Sequence, residues 1–138
     1  MSKKNLMCFD VGTRRIGVAL AESFIRIAVP FTAVEVDEEN HSEIEELNKI
    51  IAREEIDILV VGLPRNLSGE ETAQSVYTKN FAKNFELSVN EIVFQDESLT
   101  SVQAENLLKS YKKPYSKGDI DMNAAAIILQ DYLEENFQ

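Results

Sequence analysis

Residues 8–21 read CFDVGTRRIGVALA, and this stretch predicts two buried strands joined by a tight turn. The first strand covers roughly residues 6–11 and the second residues 16–21, with Gly12 and Thr13 at the turn. Both strands are almost entirely apolar, which indicates that they lie inside a sheet rather than at its surface.

One carboxylate, Asp10, lies inside the first strand among apolar residues. A buried carboxylate is costly unless it is paired, binds a metal ion or shifts its pKa. Two interpretations follow from this segment alone. Asp10 is a metal-binding acid on a central strand, or it forms an ion pair with Arg14 or Arg15 across the turn.

The composition is that of one domain spanning residues 1–138. This length can bury a core without disulfides, and the single cysteine, Cys8, excludes an internal disulfide or a cysteine zinc site. No apolar run approaches the roughly 20 residues that span a bilayer, and no signal-type segment precedes Asp10. We therefore expect a cytoplasmic protein without a membrane partner.

The net charge of −10 is unusual for a nucleic-acid-binding protein, which normally has a basic face. Seven acidic residues lie between Glu35 and Glu46 with no lysine or arginine among them. Such a run is typical of a solvated surface that faces away from any polyanion. The rest of the chain is closer to neutral, although the overall balance disfavours tight binding to arbitrary nucleic acid.

The remaining pattern predicts an α/β domain in which a three-strand meander is joined to parallel βα units. After the hairpin, three further strands are predicted at residues 31–36, 56–61 and 92–94. A helix with a Ser42 capping box follows the first of these strands, and a helix with a Ser68 capping box follows the second. The third strand is followed by a helix capped by Thr100, with Val102, Leu107 and Leu108 facing inward, and then by a final helix that starts near Asp121.

Three acids lie where this topology brings elements together, namely Asp10, Glu97 at the end of the fifth strand and Asp121 at the start of the last helix. Asp121 precedes Ala125 by four residues and so shares the buried face of that helix. Clustered carboxylates bind hard divalent cations such as Mg²⁺ or Mn²⁺. The alternative is that Glu97 is only a strand-end charge and Asp121 an ordinary first-turn acid.

Basic residues gather in the loops, where they would contact phosphates if the loops share a face with the acids. Tyr115 in the last loop could stack on a base. The alternatives to nucleic-acid binding are that residues 62–69 form only a connecting turn and that the lysines at 112–117 lie in a solvated loop. The candidate nucleic-acid-binding residues are Arg14, Arg15, Arg65, Lys112, Lys113 and Lys117.

Four motifs together resemble the bacterial YqgF/RuvX family, whose members are RNase H-like nucleases related to Holliday-junction resolvases and linked to maturation of precursor 16S ribosomal RNA. The motifs are DVGTRRIGVA at 10–19, GLP at 62–64 with Gly69 downstream, DESLT at 96–100 and DMNAAAIILQ at 121–130. The resemblance implies an RNase H-like fold with a five-stranded mixed sheet flanked by helices. It also implies that Asp10, Glu97 and Asp121 are the metal-binding catalytic acids.

The chain departs from the family pattern at three positions: Ser98 replaces an arginine, Glu22 replaces a frequent aspartate, and Ser68 replaces the usual aspartate before Gly69. These departures affect expected substrate contacts more than the metal site. With the resemblance, the sequence predicts a Mg²⁺- or Mn²⁺-dependent endonuclease that acts on precursor 16S rRNA at its 5′ end, as a monomer or a weak homodimer.

Three alternatives to this function remain open at this stage. The first is an endonuclease that acts on branched DNA junctions, and the second is a non-catalytic nucleic-acid-binding module. The third is an actin-like ATPase, because the Asp10 motif also resembles the first phosphate motif of that fold. Actin-like enzymes close two lobes over ATP, whereas 138 residues supply only one.

Overall fold

A computed structural model of the chain describes residues 2–64, 70–97 and 99–137. Its elements follow the predicted order, and the predicted α/β fold class is confirmed. The strands are β1 (Asn5–Val11), β2 (Arg15–Glu22), β3 (Val29–Glu35), β4 (Ile58–Pro64) and β5 (Glu91–Glu97), and the helices are α1 (Ser42–Arg53), α2 (Ala73–Ala82), α3 (Thr100–Ser110) and α4 (Lys117–Asn136).

The five strands form one mixed sheet in the order β3-β2-β1-β4-β5. The meander β1-β2-β3 is antiparallel, whereas β4 and β5 run parallel to β1. The three parallel strands therefore end at the same edge of the sheet, at Val11, Pro64 and Glu97. We call this edge the carboxyl end of the sheet, and it is where ligands bind in open α/β sheets.

Each face of the sheet has its own hydrophobic core, because successive side chains of a strand point to opposite faces. Met7 and Phe9 of β1 pack with residues of α1 and α2, whereas Leu6 and Cys8 pack with residues of α4. Asp10 follows Cys8 by two residues, so its side chain points to the α4 face.

Helix α4 packs closely on β2 because Gly17 has no side chain. A Cβ atom at Gly17 would lie 2.0 Å from the carbonyl oxygen of Asp121, which leaves no room for any other residue. The predicted burial of Ala125 is confirmed, and Ile128 and Leu129 on the same helix are also fully buried. None of the helices in the described ranges has both the length and the hydropathy needed to cross a bilayer.

The predicted capping boxes are wrong in detail. Helix α1 follows His41, which has a left-handed backbone with φ of 53° and no side-chain cap. The Ser42 hydroxyl instead donates a hydrogen bond to Oδ2 of Asp37 at 2.9 Å. Helix α2 is capped by a reciprocal pair, Thr72 and Ser75, and Ser68 lies outside the described residues.

The last helix begins earlier than predicted, because Ser116 is its N-cap. The Ser116 hydroxyl accepts from the backbone N–H of Asp119, and the Asp119 carboxylate accepts from the backbone N–H of Ser116. Asp121 therefore lies five residues into α4 rather than at its first turn. The third strand also differs from the prediction, since it covers Val29–Glu35 rather than 31–36.

Helix α3 does not bury the side chains that its spacing predicted. Ala104 is fully buried, whereas Val102 is 54% exposed and Leu107 is 40% exposed. The residue before the helix, Leu99, has a left-handed backbone and provides no side-chain cap. The physical reason is that α3 packs against α4, and a small residue such as Ala104 allows close contact along one narrow side.

Candidate active site

Asp10 lies at the centre of the carboxyl end of the sheet, where it is paired in register with Gly17 of β2. The pKa of its carboxyl group is raised from 3.8 to about 7. Burial is the largest cause, followed by the negative charges of Glu97 and Asp121. Two of the acids predicted from the sequence, Glu97 and Asp121, are therefore close enough to Asp10 for their charges to act on it.

Glu97 is the last residue of β5 and lies level with Pro64 of β4. Its side chain extends over Gly62, since a Cβ atom at Gly62 would lie 3.4 Å from Cγ of Glu97. Glu97 also acts on the buried thiol of Cys8. The pKa of this thiol is raised, with burial as the largest cause, followed by the negative charges of Asp10 and Glu97. Oε2 of Glu97 accepts a hydrogen bond of 2.8 Å from the hydroxyl of Thr100.

Asp121 reaches the same place from the opposite direction, on α4. Its backbone lies directly over Gly17, the residue paired with Asp10. Its carboxylate accepts a hydrogen bond of 2.6 Å from Nε of Arg15, and both side chains are partly buried. Three separate elements, β1, β5 and α4, thus bring one carboxylate each to the carboxyl end of the sheet.

The ion pair proposed across the hairpin turn is made by a different acid. Arg15 contacts Asp121 rather than Asp10, and every influence on the pKa of Asp10 raises it. Arg14 is exposed, and its backbone carbonyl accepts from the N–H of Val36 beyond β3. Of the two explanations for a buried acid at this position, pairing with a neighbouring arginine is not supported.

The donor atoms of this cluster suit a hard divalent cation, because all three are carboxylate oxygens. Crowding of negative charge around a buried acid is the condition that a cation relieves. Among the described residues, however, no three Asp, Glu, His or Cys side chains are placed so that they could coordinate one ion as they stand. Arg15 neutralises the Asp121 carboxylate, so ion binding would compete with that contact, whereas the neutral hydroxyl of Thr100 holds the Glu97 carboxylate in place.

The candidate basic residues are only partly brought to this site. Arg15 contacts the acids directly, while Arg14 lies exposed in the turn beside it. Lys112 and Lys113 lie in the connection between α3 and α4, and Lys117 is the first residue of α4, all three exposed. Arg65 and most of the 62–69 loop lie outside the described residues, which resume at Glu70.

Three residues shape the site in ways that the sequence analysis did not predict. Gly17 leaves the space that the backbone of Asp121 occupies, Gly62 leaves space for Ile128 of α4 beside Glu97, and Thr100 holds the Glu97 carboxylate. A signal for Gly17 was present, because the hairpin register places it opposite Asp10. Thr100 follows Glu97 by three residues, a spacing that also fits a helix cap and so pointed to a different role.

The chain is similar in sequence to nucleases across its whole length. A sequence model of the RuvX family, described as Holliday junction resolvase, matches residues 4–135. A protein of Sulfurihydrogenibium sp. named "Putative pre-16S rRNA nuclease" is 39% identical over 132 residues, covering 94% of this chain and 89% of that protein. A protein of Crocosphaera subtropica with the same name is 36% identical, covering 98% of this chain and 96% of that one.

Solved structures share the fold. RuvC of Thermus thermophilus in complex with a Holliday junction has a TM-score of 0.55 at 14% identity, covering 96% of this chain and 94% of RuvC. The fowlpox virus Holliday junction resolvase also has a TM-score of 0.55 at 14% identity, covering 95% of this chain and 99% of that chain. At such low identity the likeness confirms the RNase H-like fold alone.

The family match spans residues 4–135 and so includes the three elements that meet at Asp10. The curated relatives exceed 35% identity over most of their own length. The chain therefore belongs to the RuvX family and is a nuclease, an enzyme that hydrolyses phosphodiester bonds.

Proposed function

We propose that the protein is a divalent-metal-dependent endonuclease that matures the 5′ end of precursor 16S rRNA. The observation that carries this proposal is the convergence of Glu97 and Asp121 on the partly buried Asp10 at the carboxyl end of the sheet. The substrate is inferred from the names of relatives that match the chain over nearly its whole length.

Asp10 is the central ligand of the proposed site, because the charges of both other acids act on its carboxyl group. Glu97 and Asp121 complete the ligand set from opposite sides. Mg²⁺ or Mn²⁺ ions, when bound, polarise the scissile phosphate, activate water for in-line attack and stabilise the leaving oxygen. The protein contributes three carboxylates from separate elements, and Asp10 among them is partly buried.

Arg15 has a second role in this proposal. A cation bound to the Asp121 carboxylate would release the guanidinium of Arg15, which would then bind a phosphate oxygen of the substrate. Arg14, Arg65, Lys112, Lys113 and Lys117 then hold the backbone on either side of the cleaved bond. In this proposal, the basic side chains of an otherwise acidic protein lie along the path of the nucleic-acid backbone.

Branched junction DNA is the second candidate substrate, because the family description itself is that of a Holliday junction resolvase. The net charge of −10 disfavours this substrate, since four duplex arms require an extended basic surface. We also infer a single domain that acts in the cytoplasm as a monomer or a weak homodimer, which sedimentation of the purified protein would test.

The test is cleavage of a 5′-labelled precursor rRNA fragment with Mg²⁺ or Mn²⁺, in competition with four-way junction DNA. We expect Asp10→Asn, Glu97→Gln and Asp121→Asn each to lower the cleavage rate. Each loss should exceed the roughly 10- to 100-fold that results from removing a residue that only supports a metal ligand. Asp131→Asn is the matched control, because Asp131 lies on the exposed side of the same helix as Asp121.

Undiminished cleavage by Asp10→Asn, or full activity in EDTA, would refute the assigned site. Efficient cutting of the junction in preference to the rRNA fragment would replace the proposed substrate while leaving the site intact. Full activity of the wild type and of Asp131→Asn, with loss in the other three variants, supports the proposal.

A further inference from the structure

A cavity of about 450 Å³ lies where α3 ends and α4 begins, beside the acids but separate from them. The residues that line it belong to the end of α3, the connection between the helices and the first turn of α4. They are Leu108, Tyr111, Lys113, Pro114, Tyr115 and Asp119.

Two aromatic rings line this cavity in different ways. Tyr111 is 57% exposed and presents its ring to solvent. Tyr115 is half-buried, and its hydroxyl donates a hydrogen bond of 2.9 Å to Oε2 of Glu105, which fixes the ring against α3. An exposed ring beside an anchored one provides a stacking surface for a planar group.

The charge around the cavity is the reverse of that of the whole protein. Lys109, Lys112, Lys113 and Lys117 place four of the fourteen basic residues within nine positions, and no acidic residue lies between Asn106 and Gly118. The two nearest acids are engaged internally, since Glu105 accepts from Tyr115 and Asp119 from the backbone N–H of Ser116. In a chain with a net charge of −10, this segment is suited to bind an anion.

The cavity is also close to the acids of the proposed site. Asp119 lines the cavity and Asp121 belongs to the acid cluster, and these residues are two positions apart on α4. Two positions correspond to a rise of about 3 Å along a helix and to nearly opposite directions around it. The cavity and the acids therefore lie on different sides of the first turns of α4, and a nucleic-acid strand that contacts both would wrap around the start of this helix.

We propose that this cavity binds one unpaired nucleotide of a single-stranded substrate, with its base on Tyr111 and Tyr115 and its phosphate on Lys113. The inference rests on the proposed nuclease function and names the substrate class as single-stranded. A base within a duplex is already stacked on both sides and cannot enter the cavity. The stacking chemistry is shared by RNA and DNA single strands, so both are compared in the test.

The test is the affinity of fluorescently labelled 12-mers for the protein, measured by anisotropy for single-stranded RNA, single-stranded DNA and duplex RNA. Removing a stacking ring weakens binding by roughly 5- to 150-fold, so we expect Tyr111→Leu to weaken single-strand binding at least about fivefold. Tyr111→Phe retains the ring and should bind as the wild type does. Duplex RNA should bind Tyr111→Leu and the wild type with similar affinity.

Phe24→Leu is the matched control, because it removes an aromatic ring of similar exposure at the opposite end of the sheet. Lys113→Met should reduce the slope of log affinity against log salt by about one, since it removes one phosphate contact. Loss of affinity for both single strands supports a base-reading cavity, and loss for RNA alone assigns the site to RNA. Equal losses for single strands and duplex, or none for either, would overturn the proposal.

The outcome is separable from that of the proposed function. Asp10→Asn should bind single-stranded RNA normally while it fails to cleave, so a failure of the cleavage test leaves the binding result interpretable. If the wild type cleaves precursor rRNA but Tyr111→Leu binds single strands as tightly as the wild type does, only the ligand assigned to the cavity is refuted.

Discussion

Nε of Arg15 lies 2.6 Å from Oδ2 of Asp121, and this contact joins the start of β2 to α4 across 106 residues of chain. Both side chains are partly buried, with 27% and 21% of their surfaces exposed. The guanidinium neutralises the acid that α4 brings to the cluster, and leaves Asp10 and Glu97 without a cationic neighbour in the described residues. A metal ion bound by Asp121 would therefore compete with Arg15 for this carboxylate.

We expect Arg15→Gln to bind Mn²⁺ about fivefold more tightly than the wild type, because a surface-accessible ion pair contributes about 1 kcal/mol that the metal no longer has to overcome. The same variant should bind RNA more weakly, since a phosphate contact is lost. Isothermal titration with Mn²⁺ in the absence of RNA measures the first effect. Arg14→Gln is the control, and it should weaken RNA binding while leaving Mn²⁺ affinity unchanged.

Gly17→Ala should destabilise the protein and reduce cleavage together. The added methyl group would lie 2.0 Å from the carbonyl oxygen of Asp121 and 2.9 Å from the backbone nitrogen of Met122, so α4 must move. Overpacking of this kind costs about 1–3 kcal/mol in the free energy of unfolding, which urea denaturation would measure.

The comparison variant is Gly118→Ala, whose added methyl would lie 3.2 Å from Cβ of Ala33. That contact is tight but involves a single methyl group, and alanine favours helix by up to about 1 kcal/mol over glycine. Its stability should therefore stay within about 1 kcal/mol of the wild type. Wild-type stability and cleavage in Gly17→Ala would contradict the close approach of α4 to β2.

Thr100→Val should lower cleavage roughly tenfold, as expected for loss of a group that orients a ligand. Valine has the shape of threonine but cannot donate to Oε2 of Glu97, and Thr100 is only 5% exposed. The concentration of Mn²⁺ that gives half-maximal activity separates a positioning role from a general loss of stability. Thr100→Ser keeps the hydroxyl and should restore both the rate and the metal dependence.

The stability of the metal-free protein should fall as pH rises from about 4 to about 7. The pKa of Asp10 is near 7 in the folded state and 3.8 in its ordinary environment, so over this range the folded state binds the extra proton. Each unit of pKa corresponds to about 1.4 kcal/mol, so deprotonation of Asp10 costs up to about 4 kcal/mol above pH 7.

Asp10→Asn isolates this effect, because all other titrating groups are shared with the wild type. Urea denaturation in EDTA should show similar stabilities for the two proteins at pH 4 and a clearly more stable Asp10→Asn at pH 8. A stability difference that does not change between these pH values would show that Asp10 titrates normally.

The sequence by itself determined the order of elements, the mixed sheet, the position of Asp10 within a central strand and the family. Strand alternation, apolar runs and turn residues are local properties, so the hairpin at residues 8–21 and the buried strand β4 could be predicted within a few residues. The three acids could be named in advance for a similar reason, because each lies near one end of an element whose direction the topology dictates.

The tertiary structure alone decided which groups meet at the site. Arg15 pairs with Asp121 and not with its neighbour in the hairpin, Asp10, and Ala104 rather than Val102 is the buried residue of α3. Both outcomes depend on where α4 lies on the sheet, which Gly17 permits through a contact between residues about a hundred positions apart. Local periodicity and propensity contain no information about such contacts, because their energies arise only when distant segments pack together.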